Sequence, residues 1–230
     1  MALNKPKMKR NQMLVTHLNP KSPVAEQYRT IRTNIQFASI NEQIQTYMVT
    51  SPMAGEGKTT TITNLAVVMA QQEKKVLIID ADTRKPSVHY AFQRNNIKGV
   101  TNVLTGQLSL KGAVIPTAVP NLDILASGPI PPNPSELLAS PQMEQLLKEA
   151  CRHYDIVLVD TPPVLIVSDA QIMANRCQGS ILVVNSGKTE SDSANQAKDA
   201  LIHAKAKLLG VVLNRKNKRR DKTFYYYGRQ

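Results

Sequence analysis

The sequence predicts an α/β fold with a mainly parallel central sheet and helices on both of its faces. Short runs rich in β-branched residues alternate with longer stretches of helical periodicity along most of the 230 residues. Most of these runs lack the apolar–polar alternation of a sheet with one wet face, so both faces of the sheet should be buried. This layout is typical of units in which a crossover helix joins two parallel strands and covers the sheet.

The elements are predicted from periodicity and from the residues that start and stop them. Six runs are predicted as strands: Tyr47–Thr50, Val76–Asp80, Leu122–Ala126, Ile156–Asp160, Ile181–Val184 and Leu209–Leu213. Three stretches are predicted as helices: Thr59–Gln72, Pro141–His153 and Ser191–Ala206. Four prolines within Gly128–Pro134 predict a stiff extended loop.

A further amphipathic helix is predicted ahead of the first strand. Ser22 and Pro23 supply an N-cap and a first-turn proline. Apolar residues then recur at helical spacing, namely Val24, Tyr28, Ile31 and Ile35. Glu26, Arg29 and Arg32 fall on a face beside this apolar stripe, where they could contact another molecule. The alternative is an ordinary solvated charged face.

The net charge of +12 lies mostly at the two ends of the chain. Residues 1–12 carry +4 and residues 215–230 carry +6, whereas residues 13–214 carry only +2. A nearly neutral body argues against a DNA-binding groove built into the fold, so nucleic acid is not an expected partner. We therefore expect a basic N-terminal extension (1–19), one domain (20–214) and a flexible basic C-terminal tail (215–230).

Cysteine content and hydropathy indicate a reduced, cytoplasmic protein. Cys151 and Cys177 are the only cysteines and form no CxxC pair. No apolar run approaches the roughly 20 residues that cross a bilayer. Any membrane association is expected to come through a partner or through the basic ends.

The strongest local signal is the segment from Thr50 to Thr60, which follows a predicted strand and opens a helix. Backbone N–H groups must converge on a phosphate, so glycines stand where a side chain would obstruct it. The predicted nucleotide-binding residues are Gly55, Glu56, Gly57, Lys58, Thr59 and Thr60. Lys58 would reach the β- and γ-phosphates of ATP, and the Thr59 hydroxyl would bind Mg²⁺. The strict pattern has glycine where this chain has Pro52, so an ordinary glycine turn is the alternative.

Carboxylates follow two of the predicted strands at their carboxyl ends, where an open α/β sheet binds its ligand. Asp160 is predicted as a second Mg²⁺ ligand, and Asp80 as a metal ligand or as the base for an incoming nucleophile. Asp82 is predicted as polar support or a further metal contact. The alternative for each is an aspartate that only caps a loop. Asn214 ends the last strand and could bind a purine edge, although a turn-forming Asn is equally consistent.

These motifs resemble those of the bacterial tyrosine kinases of capsule and exopolysaccharide systems, which are P-loop enzymes related to the ParA/MinD group of ATPases. The residues that match the Walker A, Walker A′ and Walker B motifs are Gly55–Thr59, Leu77–Pro86 and Ile156–Pro163. The helix with Glu26, Arg29 and Arg32 is similar to the family's subunit-contact motif. The terminal acceptor cluster of the family is matched by Tyr225, Tyr226 and Tyr227.

The resemblance implies a tyrosine autokinase that uses ATP and Mg²⁺, with Lys58, Asp80 and Asp82 as catalytic residues. It implies a homo-oligomeric ring in which the tail of one subunit enters the active site of its neighbour. It also implies a separate transmembrane activator, whose cytoplasmic tail switches on the kinase and recruits it to the inner face of the membrane. Other proteins are expected as further substrates.

Two other functions remain as alternatives. One is a positioning ATPase of the ParA/MinD type that binds membrane or DNA through its basic ends. Partitioning ATPases carry a second lysine at the position held here by Met53, which argues against this alternative. The other is a scaffold that binds nucleotide without transfer, against which the complete set of Lys58, Asp80 and Asp160 argues.

Overall fold

The computed structural model describes residues 14–38 and 42–216, which contain one seven-stranded sheet. In chain order the strands are β1 (Thr46–Thr50), β2 (Val76–Asp80), β3 (Ile115–Pro116), β4 (Leu122–Leu125), β5 (Ile156–Asp160), β6 (Gly179–Asn185) and β7 (Leu208–Asn214). They lie side by side in the order β3-β4-β2-β5-β1-β6-β7, and only the β3–β4 pair is antiparallel. The predicted mainly parallel sheet is confirmed.

Helices cover both faces of this sheet. They are α1 (Val15–Leu18), α2 (Pro23–Ala38), α3 (Lys58–Ala70), α4 (Val88–Ala91), α5 (Val100–Leu104), α6 (Leu110–Ala113), α7 (Pro134–Ala139), α8 (Pro141–His153), α9 (Asp169–Arg176) and α10 (Ser191–His203). Met48 and Val49 are consecutive in β1 and fully buried, yet they belong to two different apolar clusters. Because neighbouring strand residues point to opposite faces, there is one core on each side of the sheet.

The predicted elements agree with the structure to within a few residues. All six predicted strands are present, and β6 and β7 are longer than predicted because their polar ends still pair with each other. The extended segment from Gly128 ends where α7 begins at Pro134. The short helices α1, α4, α5, α6, α7 and α9 and the two-residue strand β3 were not predicted, since elements this short carry little readable period. The tyrosines 225–227 lie outside the described residues.

Helix α1 packs against α3, although the sequence analysis assigned its residues to an N-terminal extension. Thr16 is fully buried there. Its backbone N–H and its hydroxyl both donate to the Asn64 side-chain carbonyl, at 3.0 and 2.9 Å. The Asn64 amide in turn donates to the Thr60 carbonyl at 2.8 Å. Residues from Leu14 onward are thus held on the helix that begins at Lys58. No helix in 14–38 or 42–216 has the length and apolar character of a membrane span.

We expect Asn64→Ala to lower the free energy of unfolding by about 1 to 3 kcal/mol, because it leaves the buried Thr16 N–H unpaired and the Thr16 hydroxyl with only the backbone carbonyl of residue 64, at 3.3 Å. Urea denaturation of the purified chain measures this. The control is Thr30→Ala on the exposed side of α2, which should change the free energy by less than about 0.5 kcal/mol. Equal stability of the two variants would show that the amide does not hold α1 in place.

Candidate nucleotide-binding site

The segment between β1 and α3 has the backbone of a phosphate-binding loop. Gly55 and Gly57 have φ angles of 79° and 98°, a region that side chains strongly disfavour. A Cβ on Gly57 would lie 2.1 Å from the Asn214 Nδ2 atom, so this position also requires glycine for space. Helix α3 begins at Lys58 directly after this turn and directs its free N–H groups to the loop. The loop is therefore shaped to bind an anion at a helix N-terminus.

Lys58 is held by Asp82, the second acidic residue after β2. The Lys58 Nζ atom lies 2.8 Å from Asp82 Oδ2, and the two side chains are only 11% and 5% exposed. Burial by itself lowers the pKa of Lys58, but attraction to Asp160 and Asp82 outweighs it and raises the pKa. Lys58 is therefore a fixed cation at the phosphate loop. Both were predicted as site residues, and the structure places them in direct contact.

Thr59 and Asp160 are in direct contact. The Thr59 hydroxyl donates to Asp160 Oδ2 at 2.6 Å and lies 2.9 Å from the Ser87 hydroxyl. The second oxygen, Asp160 Oδ1, is buried and has no hydrogen-bond partner among the described residues. A buried, unpaired carboxylate oxygen beside a hydroxyl fits a hard cation such as Mg²⁺.

Asp80 lies beside Asp160, its register partner across the β2–β5 pair. It is fully buried, and its Oδ2 atom accepts the backbone N–H groups of Ser87 and Val88, each at 3.0 Å. Its Oδ1 atom accepts the Asp82 N–H at 3.2 Å. Burial and the adjacent Asp160 raise the pKa of Asp80 to about 8. Two buried carboxylates side by side repel each other, and a bound cation would relieve that repulsion.

No group of three or more His, Cys, Asp or Glu residues in the described part of the chain is arranged to hold a metal ion alone. A cation here would have Thr59 and the strand-end carboxylates as its protein ligands, and would complete its shell with phosphate oxygens and water. This is the usual mode of Mg²⁺ binding at nucleotide sites. The residues present therefore fit Mg²⁺ bound together with a nucleotide.

Glu56 and Asn214 join the phosphate loop to the ends of β6 and β7. Glu56 is 2% exposed, and its Oε1 atom accepts the Thr189 hydroxyl at 2.7 Å. The Asn214 amide donates to the Glu56 carbonyl at 2.8 Å, and its oxygen accepts the Arg215 N–H. Both polar groups of Asn214 thus have protein partners, and its predicted role at a purine edge stays a prediction.

An ion pair that was not predicted individually from the sequence fixes the segment after Asp82; its Asp169 is buried, whereas the Arg84 side chain is 38% exposed. Arg84 binds Asp169 through two hydrogen bonds of 2.8 and 3.1 Å, and Asp169 is fully buried at the start of α9. Ser135 in α7 donates to the same carboxylate at 2.6 Å. Arg84 and Asp169 are 85 positions apart in the chain, so no local pattern indicates their contact. The one sequence signal for Arg84 was its place in the Walker A′ segment.

The predicted contact face on α2 is partly used within the chain itself. Arg29 pairs with Glu26 at 2.8 Å, with side chains 29% and 69% exposed. Arg32 instead donates to the Val68 carbonyl of α3 at 2.7 Å. Arg29 also donates to the Pro20 carbonyl at 2.7 Å, so Glu26 is the more exposed member of this pair, whereas Arg32 mainly fastens α2 to α3.

The fold and site define a P-loop nucleoside triphosphatase. Residues 44–189 match the family model described as an AAA domain. The relatives narrow this class: the chain belongs to the bacterial tyrosine-protein kinase family.

Three relatives carry that assignment. The chain is 54% identical over 222 residues to tyrosine-protein kinase YwqD of Bacillus subtilis, a match that covers 96% of this chain and 93% of YwqD. It is 38% identical over 214 residues to putative tyrosine-protein kinase CapB of Staphylococcus aureus, covering 93% and 94% of the two chains. The kinase domain of the Escherichia coli tyrosine kinase ETK superposes with a TM-score of 0.87 at 34% identity, covering 100% of this chain and 89% of that one.

We expect Asp160→Asn to weaken the Mg²⁺-dependent part of ATP affinity by roughly tenfold or more, because it removes one charged ligand. A fluorescent ATP analogue is titrated into the protein once with Mg²⁺ and once with EDTA, and the difference between the two affinities measures the Mg²⁺-dependent part. The unfolding temperature of the nucleotide-free variant should not fall, since the repulsion between Asp160 and Asp80 is lost.

Asp155→Asn is the matched control, because Asp155 is exposed and precedes the same strand at its other end. It should leave nucleotide affinity unchanged. Equal Mg²⁺ dependence of Asp160→Asn and the wild-type chain would exclude Asp160 as a metal ligand.

Proposed function

We propose that this chain is an ATP-dependent protein-tyrosine autokinase that phosphorylates Tyr225, Tyr226 and Tyr227 in trans, and other proteins as well. It would act in a system that controls capsule or exopolysaccharide synthesis. The observation that carries the proposal is the meeting of Lys58, Thr59 and two buried strand-end carboxylates at a phosphate loop, in a chain of the tyrosine-kinase family.

In this mechanism the phosphate loop holds the ATP phosphates, and Thr59 and Asp160 hold Mg²⁺, with Asp80 as a further candidate ligand. The ion would neutralise charge that develops on the phosphates. Lys58 is close enough to the loop to exchange Asp82 for a phosphate oxygen. Its ammonium group then stabilises charge on the transferring group.

The acceptor tyrosine needs a base, because its phenol has a pKa of about 10 in solution. The phenol oxygen forms a bond to the γ-phosphorus, the bond to the β-phosphate oxygen breaks, and ADP leaves. The phenol proton passes to a carboxylate, for which we prefer Asp80, while Asp82 remains the other candidate.

Asn214 contacts the Glu56 carbonyl, so the last described residues of the chain lie beside the phosphate loop. The tail that follows therefore starts close to the site, and transfer in trans is proposed from membership of the tyrosine-kinase family.

Family membership supports the remaining parts of the proposal. The partner would be a transmembrane activator that acts through its cytoplasmic tail and recruits a cytoplasmic kinase to the inner face of the membrane. The exposed Glu26–Arg29 pair on α2 is the candidate contact between subunits of the ring.

We expect the purified chain with ATP and Mg²⁺, together with a candidate activator tail, to form phosphotyrosine detectable by antibody and mass spectrometry. Lys58→Met removes the cation at the phosphates, and the triple change of residues 225–227 to Phe removes the acceptors, so each should abolish the signal on the chain. A wild-type chain that stays unmodified with its proper activator contradicts the kinase. Salt-sensitive binding to lipid or DNA under those conditions would instead support a positioning ATPase.

For the ring, we expect Glu26→Ala with Arg29→Ala to lower the mass of the assembly, because the pair lies at the surface of α2, where Glu26 is 69% exposed. Light scattering after size-exclusion chromatography measures this mass. Glu144→Ala with Lys148→Ala is the control, since it removes an exposed ion pair one helical turn apart from α8. Arg32 is left unchanged because its loss would loosen α2 from α3. An unchanged mass in the first variant would remove α2 from the interface.

A further inference from the structure

An open groove of about 1070 Å³ lies between α8, α9 and the end of α10, away from the candidate nucleotide-binding site. Gln45 and Gln178 belong to its wall, and they stand just ahead of β1 and β6. The phosphate loop follows the opposite end of β1, a strand of five residues that spans about 17 Å. The groove is therefore separate from the phosphate loop.

One face of each of two helices lines the groove. The lining residues of α8 recur at intervals of three and four from Glu144 to Arg152, and those of α9 do so from Ser168 to Asn175. Residues at these intervals share one face of a helix. The other face of α9 is buried in the core, where Ala170 and Met173 are fully covered. The groove is thus a channel between two helices that the core holds in place.

The groove carries more positive charge than its own carboxylate neutralises. Four Lys or Arg side chains line it, together with the single carboxylate of Glu144. Glu144 binds Lys148 at 2.6 Å and lies 3.9 Å from Arg176. The guanidinium group of Arg152 and the ammonium group of Lys205 have no ion-pair partner within residues 14–38 and 42–216. Two cations of the groove are therefore open to a ligand.

Carboxamide side chains of the same groove also have open hydrogen-bonding groups. The Gln178 oxygen accepts two backbone N–H groups at the start of β1, at 2.6 and 3.1 Å, and its amide nitrogen has no partner among the described residues. The Asn175 amide donates to the Ala204 carbonyl at 3.1 Å, which leaves its oxygen as an acceptor. Gln171 makes no side-chain hydrogen bond in the described part of the chain. Donors and acceptors side by side suit hydroxyl groups, each of which can donate and accept.

We propose that this groove binds a phosphorylated, hydroxyl-rich small molecule of the sugar-phosphate class. A phosphate monoester carries about −1.5 to −2 charge at neutral pH, which matches the two open cations, Arg152 and Lys205. The amides would bind the hydroxyl groups. Cations near the ends of α8 and α10 also interact with the helix dipoles, but the dipoles give no role to the open amides. The inference goes beyond the proposed function, since binding here requires neither phosphate transfer nor the tyrosine tail.

Isothermal titration calorimetry on the full chain tests the site. Glucose 1-phosphate is the titrant, and saturating ADP and Mg²⁺ are present so that the phosphate loop is already occupied. Arg152→Gln with Lys205→Gln should raise the Kd about tenfold or more, because the contacts to the phosphate lose their charge. Both side chains are exposed, so the unfolding temperature of this double variant should stay unchanged.

Lys74→Gln with Lys75→Gln is the matched control. It removes the same charge from two exposed residues ahead of β2, at the same edge of the sheet but outside the groove. It should change the Kd by less than about twofold, because salt screens charges that do not touch the ligand. Equal weakening by the two double variants would show attraction by overall charge alone and would overturn the site. Loss of binding in Lys58→Met would place the ligand at the phosphate loop and would overturn it as well.

The hydroxyl-rich part of the ligand is tested with Gln171→Ala and two further titrants. Gln171→Ala should raise the Kd for glucose 1-phosphate about two- to tenfold and leave the affinity for inorganic phosphate unchanged, because only the sugar contact is lost. Glucose should bind more weakly than its phosphate ester, since it has no charge for the two cations. Inorganic phosphate that binds as tightly as glucose 1-phosphate, or glucose 1-phosphate that does not bind up to about 10 mM, would contradict the proposal.

Discussion

The structure depends on one electrostatic constraint, the placement of two buried carboxylates side by side in a parallel sheet. Asp80 and Asp160 end neighbouring strands in register, so neither can move away without breaking the pairing of β2 with β5. An uncompensated buried charge costs several kcal/mol. Neighbouring elements compensate it: α4 directs two N–H groups to Asp80, α3 directs the Thr59 hydroxyl to Asp160, and Lys58 supplies the positive charge. The site is therefore assembled by the sheet, and the helices neutralise it.

The same constraint shapes how a nucleotide would enter. Lys58 already has a partner in Asp82, so binding a phosphate exchanges one ionic contact for another. Lys58 therefore contributes less binding free energy than its contact with phosphate alone would give, because its contact with Asp82 is lost on binding. The segment that carries Asp82 is in turn fixed by the ion pair of Arg84 with the buried Asp169. Movement of α9 or α7 would consequently shift Arg84 and, with it, the segment that holds Lys58 at the phosphate loop. Neither helix contributes a residue to the loop itself.

Sequence predicted those parts of the fold and site that depend on short stretches of chain. The strands were found because buried parallel strands are continuous apolar runs, and Asp80 and Asp160 because each directly ends such a run. The contacts of Glu56 with Thr189, of Asn214 with the Glu56 carbonyl, and of Arg84 with Asp169 join residues 133, 158 and 85 positions apart. No local pattern encodes these pairings, since they form only once the sheet order is fixed. Helix α1 was missed for a similar reason, because a one-turn helix depends on Asn64 and not on its own period.

On the proposed function, the charge at the end of the chain connects docking to release. The segment 215–230 carries +6 before any transfer, which favours its approach to a centre whose acidic groups outnumber the one ammonium group of Lys58. Each phosphotyrosine adds about −1.5 to −2 at pH 7, so phosphorylation of three tyrosines cancels most or all of that charge. The fully modified tail then meets the acidic centre without electrostatic attraction and with its tyrosine hydroxyls replaced by anionic groups. Transfer therefore weakens the interaction that made transfer possible, and an assembly held by such tails becomes looser as the reaction proceeds.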